Sequence, residues 1–227
     1  MDCSVQKIFG SINVNECLCE EPTLSETWTC EVCGVDLNLT KHDVRSRFGH
    51  ISLSVPVVHT LFYKSDLNVI AMLLDKTEDF IESLVNCDLH VVIEPSSDEL
   101  ILDQIITTDM YRELWRSKSK ILIGGTALSY LLSKINLKII KYSLLKRDRS
   151  VLSEKILEDI NKRSKIVDGL IDSNIQPDLL TIRVLPVLPA GLRPMVVLDE
   201  DKLISSDLNE LYKRVIIENK PCFVDVW

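Results

Sequence analysis

Apolar positions along the chain change their period several times, and each change predicts an element. From Ile51 to Val55 apolar and polar residues alternate, the period of a half-buried strand, directly after a basic turn that holds Arg45, Arg47 and His50. In "LNVIAMLLDKTEDFIESLVN" the apolar residues return at helical spacing. Thr77 stands there as an N-cap, with Glu78 and Asp79 in the first turn where the helix dipole favours acids, so a short helix, a break and a second helix are expected. The β-branched run from Leu89 is stopped by Pro95 and reads as a strand. A helix is expected over 108–118 with Thr107 or Thr108 as its cap, and another after Gly124 and Gly125. Over 151–173, Leu152, Ile156, Ile160, Val167 and Leu170 are separated by charged residues. That spacing predicts a long amphipathic helix folded back on the one before it as a hairpin.

Beyond residue 180 the texture changes. Pro186, Pro189 and Pro194 exclude a helix and favour extended chain with turns. "SSDLNELYKRVIIEN" then restores the helical period, with Ser205 or Ser206 as cap and Asp207 in the first turn. Pro221 stops that helix, and the tail "PCFVDVW" carries no functional signal. Gly124-Gly125 lacks both the GKS/T ending and the full G-x-G-x-x-G of a phosphate loop, and reads as a turn.

Composition narrows the classes. With 227 residues and 46% hydrophobic content the chain can bury a sizeable core in one or two domains. A formal net charge of -8 excludes a chain that coats nucleic acid by bulk electrostatics, so any such contact is local. No apolar run has signal-peptide length near the start, and none elsewhere is long enough to span a membrane. The expected compartment is the cytoplasm, where thiols stay reduced and disulfides are disfavoured.

Four of the seven cysteines therefore attract a metal reading. Cys17-x-Cys19 and Cys30-x-x-Cys33-Gly34 form two close pairs joined by ten residues, a loop long enough to bring them together as one tetrahedral four-thiolate site. Soft thiolates suit Zn2+, and four protein ligands leave no position for substrate, so one structural zinc is expected; unligated thiols are the alternative. Cys3, Cys87 and Cys222 have no partner at ligand spacing and read as ordinary thiols. His50 and His59 read as structural or phosphate-facing residues rather than ligands, since four sulfurs already fill a tetrahedral site.

In chain order, "KIFG", "CLC…CEVCGV", "VRSRFGHI", "P-x-x-H-x-x-F-x-K" at Pro56 to Lys64, "LLD", "VVIE", "LPVLPAGLRPMV" and "SDLNELYKRVI" resemble the N-terminal part of the beta-prime subunit of bacterial-type DNA-directed RNA polymerase. The resemblance runs over nearly the whole chain. It implies an α+β fold: a small zinc ribbon over 1–50, a mixed α/β clamp region with a helical hairpin over 51–180, and an extended lid segment with the start of a clamp helix over 181–227. It implies Zn2+ on Cys17, Cys19, Cys30 and Cys33, and nucleic-acid contact by Arg45, Arg47, His50, Arg193 and Lys202. Asp207, Asn209, Tyr212, Lys213 and Arg214 match positions of the helix that docks the sigma factor.

The implied partners are the beta and alpha subunits, the remainder of beta-prime, sigma factor, DNA template and nascent RNA. The family's N-A-D-F-D-G-D motif, which holds catalytic Mg2+, does not occur in this sequence. The chain is accordingly expected to be a fragment, a split subunit or a remnant, part of a nucleotidyltransferase yet inactive alone. Glu20 stands where the family has a glycine, the loop between the cysteine pairs is short, and Asp199-Glu200-Asp201 replaces a glycine-rich basic turn. Acids at that turn repel phosphates. The competing expectation is a stand-alone zinc-ribbon adaptor that holds a protein or RNA through Arg45 and Arg47.

Overall fold

The computed structural model describes residues 3–10, 17, 19, 28–37, 45–65, 67–96, 100–114, 119–147, 153–198 and 202–219. Glu20, the acids 199–201 and the tail from residue 220 lie outside the described residues, as do 115–118 and 151–152 at the ends of two expected helices; the side chains of Cys3 and Lys202 are not described either. The architecture is mixed α and β, with eight α-helices and small sheets among the described residues. The chain forms two compact units, residues 1–54 with 184–227 and residues 55–183. Strand β1 (Gly49–Val58) pairs with β5 (Thr181–Val187). No described helix is long and apolar enough to cross a membrane.

The larger unit is built on a main apolar core and a smaller second cluster. Helices α2 (Val69–Leu74) and α3 (Glu78–Val85) appear where the periodicity places them. Thr77 caps α3 by accepting from the Phe80 amide, and Asn68 caps α2 by accepting from Ala71. Asp75 ends α2 in the left-handed conformation, which supplies the break between the two helices. Ile70, Leu73, Ile81 and Leu84 from these helices are fully buried with Leu128, Leu132 and Leu144. Each such side chain contributes roughly 1.5–3 kcal/mol of transfer free energy.

Three short strands complete the unit: β2 (Leu89–Glu94) lies between β3 (Ile105–Thr107) and β4 (Lys120–Ile123), antiparallel to both. Val91 turns into the large core, whereas Val92 joins Leu100 and Ile106 in a second cluster under Tyr111 and Leu114 of α4 (Thr108–Leu114). β2 is thus covered on both faces, which explains its near-continuous apolar run. β3 and β4 carry no alternation in the sequence, since three and four residues are too short to show a period of two.

His90 is the polar exception in this sheet. It is 3% exposed, stacks on Tyr111 at 4.6 Å, and neither ring nitrogen has a hydrogen-bond partner among the described residues. Burial pushes its pKa below the ordinary value, and the Asp88 charge only partly opposes this. The folded state therefore binds fewer protons at this site than the unfolded chain, so stability falls as pH drops below the unfolded histidine value of about 6.5. His90→Leu is expected to flatten the acid limb of a urea-midpoint against pH curve between about pH 6.5 and 5. An unchanged limb would show that His90 is not the titrating group.

After β4 the chain enters α5 (Gly124–Ser133) through two glycines that serve packing rather than phosphate. Gly124 has φ +56°, and a Cβ there would lie 2.9 Å from the Cys87 sulfur; a Cβ on Gly125 would overlap the Pro56 carbonyl. α5 ends at Ser133, and residues 134–136 separate it from the next helix. Asn136 accepts from the Lys138 and Ile139 amides and starts a separate helix, α6 (Leu137–Lys146). The long helix α7 (Glu154–Asp172) packs on α6, and Lys141 bonds Asp168 at 2.7 Å across this hairpin. Gly169 sits inside α7 with nothing within 4 Å of a built Cβ. Gly169→Ala is therefore expected to raise stability by about 0.5–1 kcal/mol in urea unfolding.

The smaller unit holds α1 (Cys3–Phe9), the cysteine segment, the first part of β1, the end of β5, a hairpin of β6 (Met195–Leu198) and β7 (Lys202–Ser205), and α8 (Asp207–Glu218). Ser206 occupies the N-cap of α8, although its hydroxyl makes no capping bond. Asn219, at the other end of α8, bonds Ser52 and Ser54 of β1. α1 is one seven-residue helix that no sequence period announced.

Candidate metal centre and docking helix

The cysteine segment turns back on itself over ten residues. The Cys30 amide bonds the Val35 carbonyl at 2.9 Å, the Leu37 amide bonds the Trp28 carbonyl at 2.9 Å, and the Gly34 amide closes on Cys30 at 2.7 Å. Gly34 has φ +70°, a left-handed conformation that glycine adopts without a Cβ penalty. This turn aims Cys30 and Cys33 to one side, where Cys17 and Cys19 meet them. The four sulfurs lie within 4.8 Å of one another, with Cys17 to Cys33 at 3.2 Å and Cys19 to Cys30 at 3.9 Å.

A tetrahedron of sulfurs around an ion at a Zn–S length of ~2.3 Å has edges of ~3.8 Å, so the donor set fits one metal ion. Local chemistry favours the same use. Burial works against ionisation of Cys33, but hydrogen bonds involving Cys17, the Val35 backbone, Cys19 and Cys30 outweigh it and lower the thiol to about 6. Burial raises Cys17, against the backbone bond of Cys19. A cluster that already favours one thiolate is a donor set a dication completes by displacing the remaining protons. The apolar support is small, with Cys30, Val35 and Leu37 as its buried members.

The basic turn divides on inspection. Arg45 and His50 are exposed, whereas Arg47 is half-buried and pairs with Asp36 at 3.3 Å, tying the start of β1 to the cysteine segment. Asp36 carried no sequence signal beyond its place just after Cys33-Gly34. His59 caps the short turn Thr60–Phe62 by accepting from the Leu61 amide at 3.2 Å.

On α8 the five expected docking residues fall on two faces. Asp207, Lys213 and Arg214 are exposed, beside the exposed Leu208 and Leu211. Asn209 and Tyr212 face inward. Asn209 accepts from Arg193 Nη1 at 2.7 Å and donates to the Arg193 carbonyl at 3.1 Å; the Tyr212 hydroxyl accepts from the Leu188 amide at 3.2 Å. Arg193 is half-buried, donates Nε to the Leu188 carbonyl at 2.9 Å, and stacks over Phe9 at 4.8 Å and Tyr212 at 5.8 Å. Phe9 can approach because Gly49 lacks a side chain: a Cβ there would lie 2.6 Å from the Phe9 ring. Two open clefts in the larger unit, of about 630 and 660 Å³, contain none of the expected site residues.

These features define a class of protein: four clustered cysteine sulfurs that fit one metal ion, a short hairpin held to an exposed helix, and an α/β unit with a helical hairpin. The family model described as RNA polymerase Rpb1, domain 1, matches residues 13–222, and the chain belongs to that family. It is 37% identical over 219 residues to the DNA-directed RNA polymerase subunit beta' of Dichelobacter nodosus, which covers 94% of this chain and 16% of that protein. The subunits beta' of Ruthia magnifica and Chlamydia trachomatis serovar D are 36% and 34% identical over 219 and 220 residues, with the same coverage. The chain thus spans 16% of the length of these curated relatives.

Proposed function

We propose that the chain works in transcription as the N-terminal part of a beta' subunit of DNA-directed RNA polymerase, in an assembly that makes RNA from ribonucleoside triphosphates on a DNA template. The observation that carries this reading is the match of residues 13–222 to one polymerase family, which takes in the cysteine knuckle, the hairpin and α8 together. The chemical step and its Mg2+ belong to residues outside this chain. Cys17, Cys19, Cys30 and Cys33 would hold Zn2+, which supplies folding to a segment with almost no apolar core of its own.

Arg45 and His50 are the exposed members of a nucleic-acid contact, with Arg47 set behind them by Asp36 and Lys202 on the hairpin. Sigma factor docks on the outer face of α8, through Asp207, Leu208, Leu211, Lys213 and Arg214. The beta and alpha subunits and the remainder of beta' complete the assembly, in the cytoplasm. Leu211→Glu places a charge in the middle of that face, where Leu211 is 54% exposed. It is expected to weaken sigma binding at least tenfold in a fluorescence titration, with helix content unchanged. An affinity within twofold of the parent would remove α8 as the dock.

A further inference from the structure

The β6–β7 hairpin has four residues in each strand and pairs with no third strand among the described residues. A two-stranded ribbon of that size is marginal by itself, so its direction must be fixed at its feet. Both feet are held by one side chain. Asn209 of α8 donates from Nδ2 to the carbonyl of Arg193, on the chain entering β6, and to the hydroxyl of Ser205, the last residue of β7, at 3.1 and 2.9 Å. Its Oδ1 accepts from Arg193 Nη1 at 2.7 Å, so both amide donors and the acceptor are engaged. Arg193 extends the grip by donating Nε to the Leu188 carbonyl, and Tyr212, one turn along α8, accepts from the Leu188 amide.

We infer that Asn209 and Arg193 are positioning residues that clasp the hairpin to α8, so that the aim of the hairpin is set from the helix on which a protein partner docks. The inference rests on the proposed docking role of α8 for its consequence, and on contacts within the smaller unit for its mechanism. A ligand that stiffens α8 stiffens the hairpin through the clasp, and by linkage a ligand held by the hairpin favours the partner-bound helix.

Two substitutions separate the clasp from a simple Arg–Asn tie. Asn209→Asp keeps the acceptor for Arg193 but removes both donors and sets a carboxylate against the Arg193 carbonyl, releasing the feet. Arg193→Lys keeps the charge but cannot serve Leu188 and Asn209 together, since it lacks the planar fork. Hydrogen exchange followed by mass spectrometry on the zinc-loaded full chain reads the outcome. Amides over 196–198 and 202–204 are expected to exchange at least tenfold faster in both variants, while amides over 213–217 in α8 stay within threefold. Adding purified sigma factor is expected to slow hairpin exchange in the parent and not in Asn209→Asp.

Hairpin exchange within threefold of the parent in both variants overturns the clasp. If sigma factor does not bind the parent chain at all, the docking role of α8 falls, and the comparison of exchange rates without sigma still decides the clasp.

Discussion

Replacing Cys33 by Ser is expected to reduce bound zinc from about one ion per chain to well below half an ion, and to unfold the segment from Trp28 to Leu37. The size of the effect follows from what else holds that segment. Its buried apolar members are Cys30, Val35 and Leu37, and its backbone closure consists of three hydrogen bonds around Gly34. A core so small cannot offset the conformational entropy of ten ordered residues, at roughly 1–2 kcal/mol each for the backbone. Metal binding, worth about 10–16 kcal/mol in small structural zinc sites, can. Cys33 also bonds Cys17 at 3.2 Å, so the variant removes a ligand and a partner of the opposite pair. Metal analysis with proteolysis near Trp28 checks both parts. Parent-like zinc content in the variant, or a parent that binds none, would show that the sulfurs cluster for packing alone.

Gly125→Ala is expected to cost about 3 kcal/mol or more in urea unfolding of the larger unit. The added Cβ would overlap the Pro56 carbonyl, which is backbone and cannot swing aside. Relief requires α5 to move, and α5 carries Ala127, Leu128 and Leu132, all fully buried in the core. The same substitution at Gly169 meets open space and moves stability the other way, so the pair separates close packing from helix propensity. A loss below about 1 kcal/mol at Gly125 would mean that β1 and α5 are held less closely than their geometry requires.

What could be read in advance depended on how local the physics is. The cysteine set was legible because metal chemistry fixes both residue type and spacing, and the Thr77 cap because its bond spans three residues. The helix Leu137–Lys146 was not read from the sequence, although Asn136 at its N-cap is a residue type that starts helices. Arg193, Asn209 and Tyr212 matched the family by position, yet their inward use depends on contacts closed only when the hairpin folds back on α8. Phe9 against Arg193 joins residues far apart in sequence, and nothing in the stretch Lys7-Ile8-Phe9-Gly10 announces a stacking partner. Motifs therefore marked the candidate segments, and folding decided which side of each one faces out.

Affinity capture of the tagged full chain from its own cells, with identification and stoichiometry of the retained proteins and metal analysis of the eluate, tests the central claim most directly. The account expects the beta and alpha subunits and the remainder of beta' in near-equal amounts, sigma factor with them, and one zinc per copy of this chain. A zinc-loaded chain that elutes as a monomer, without any polymerase subunit, would contradict it and favour an independent zinc-ribbon adaptor.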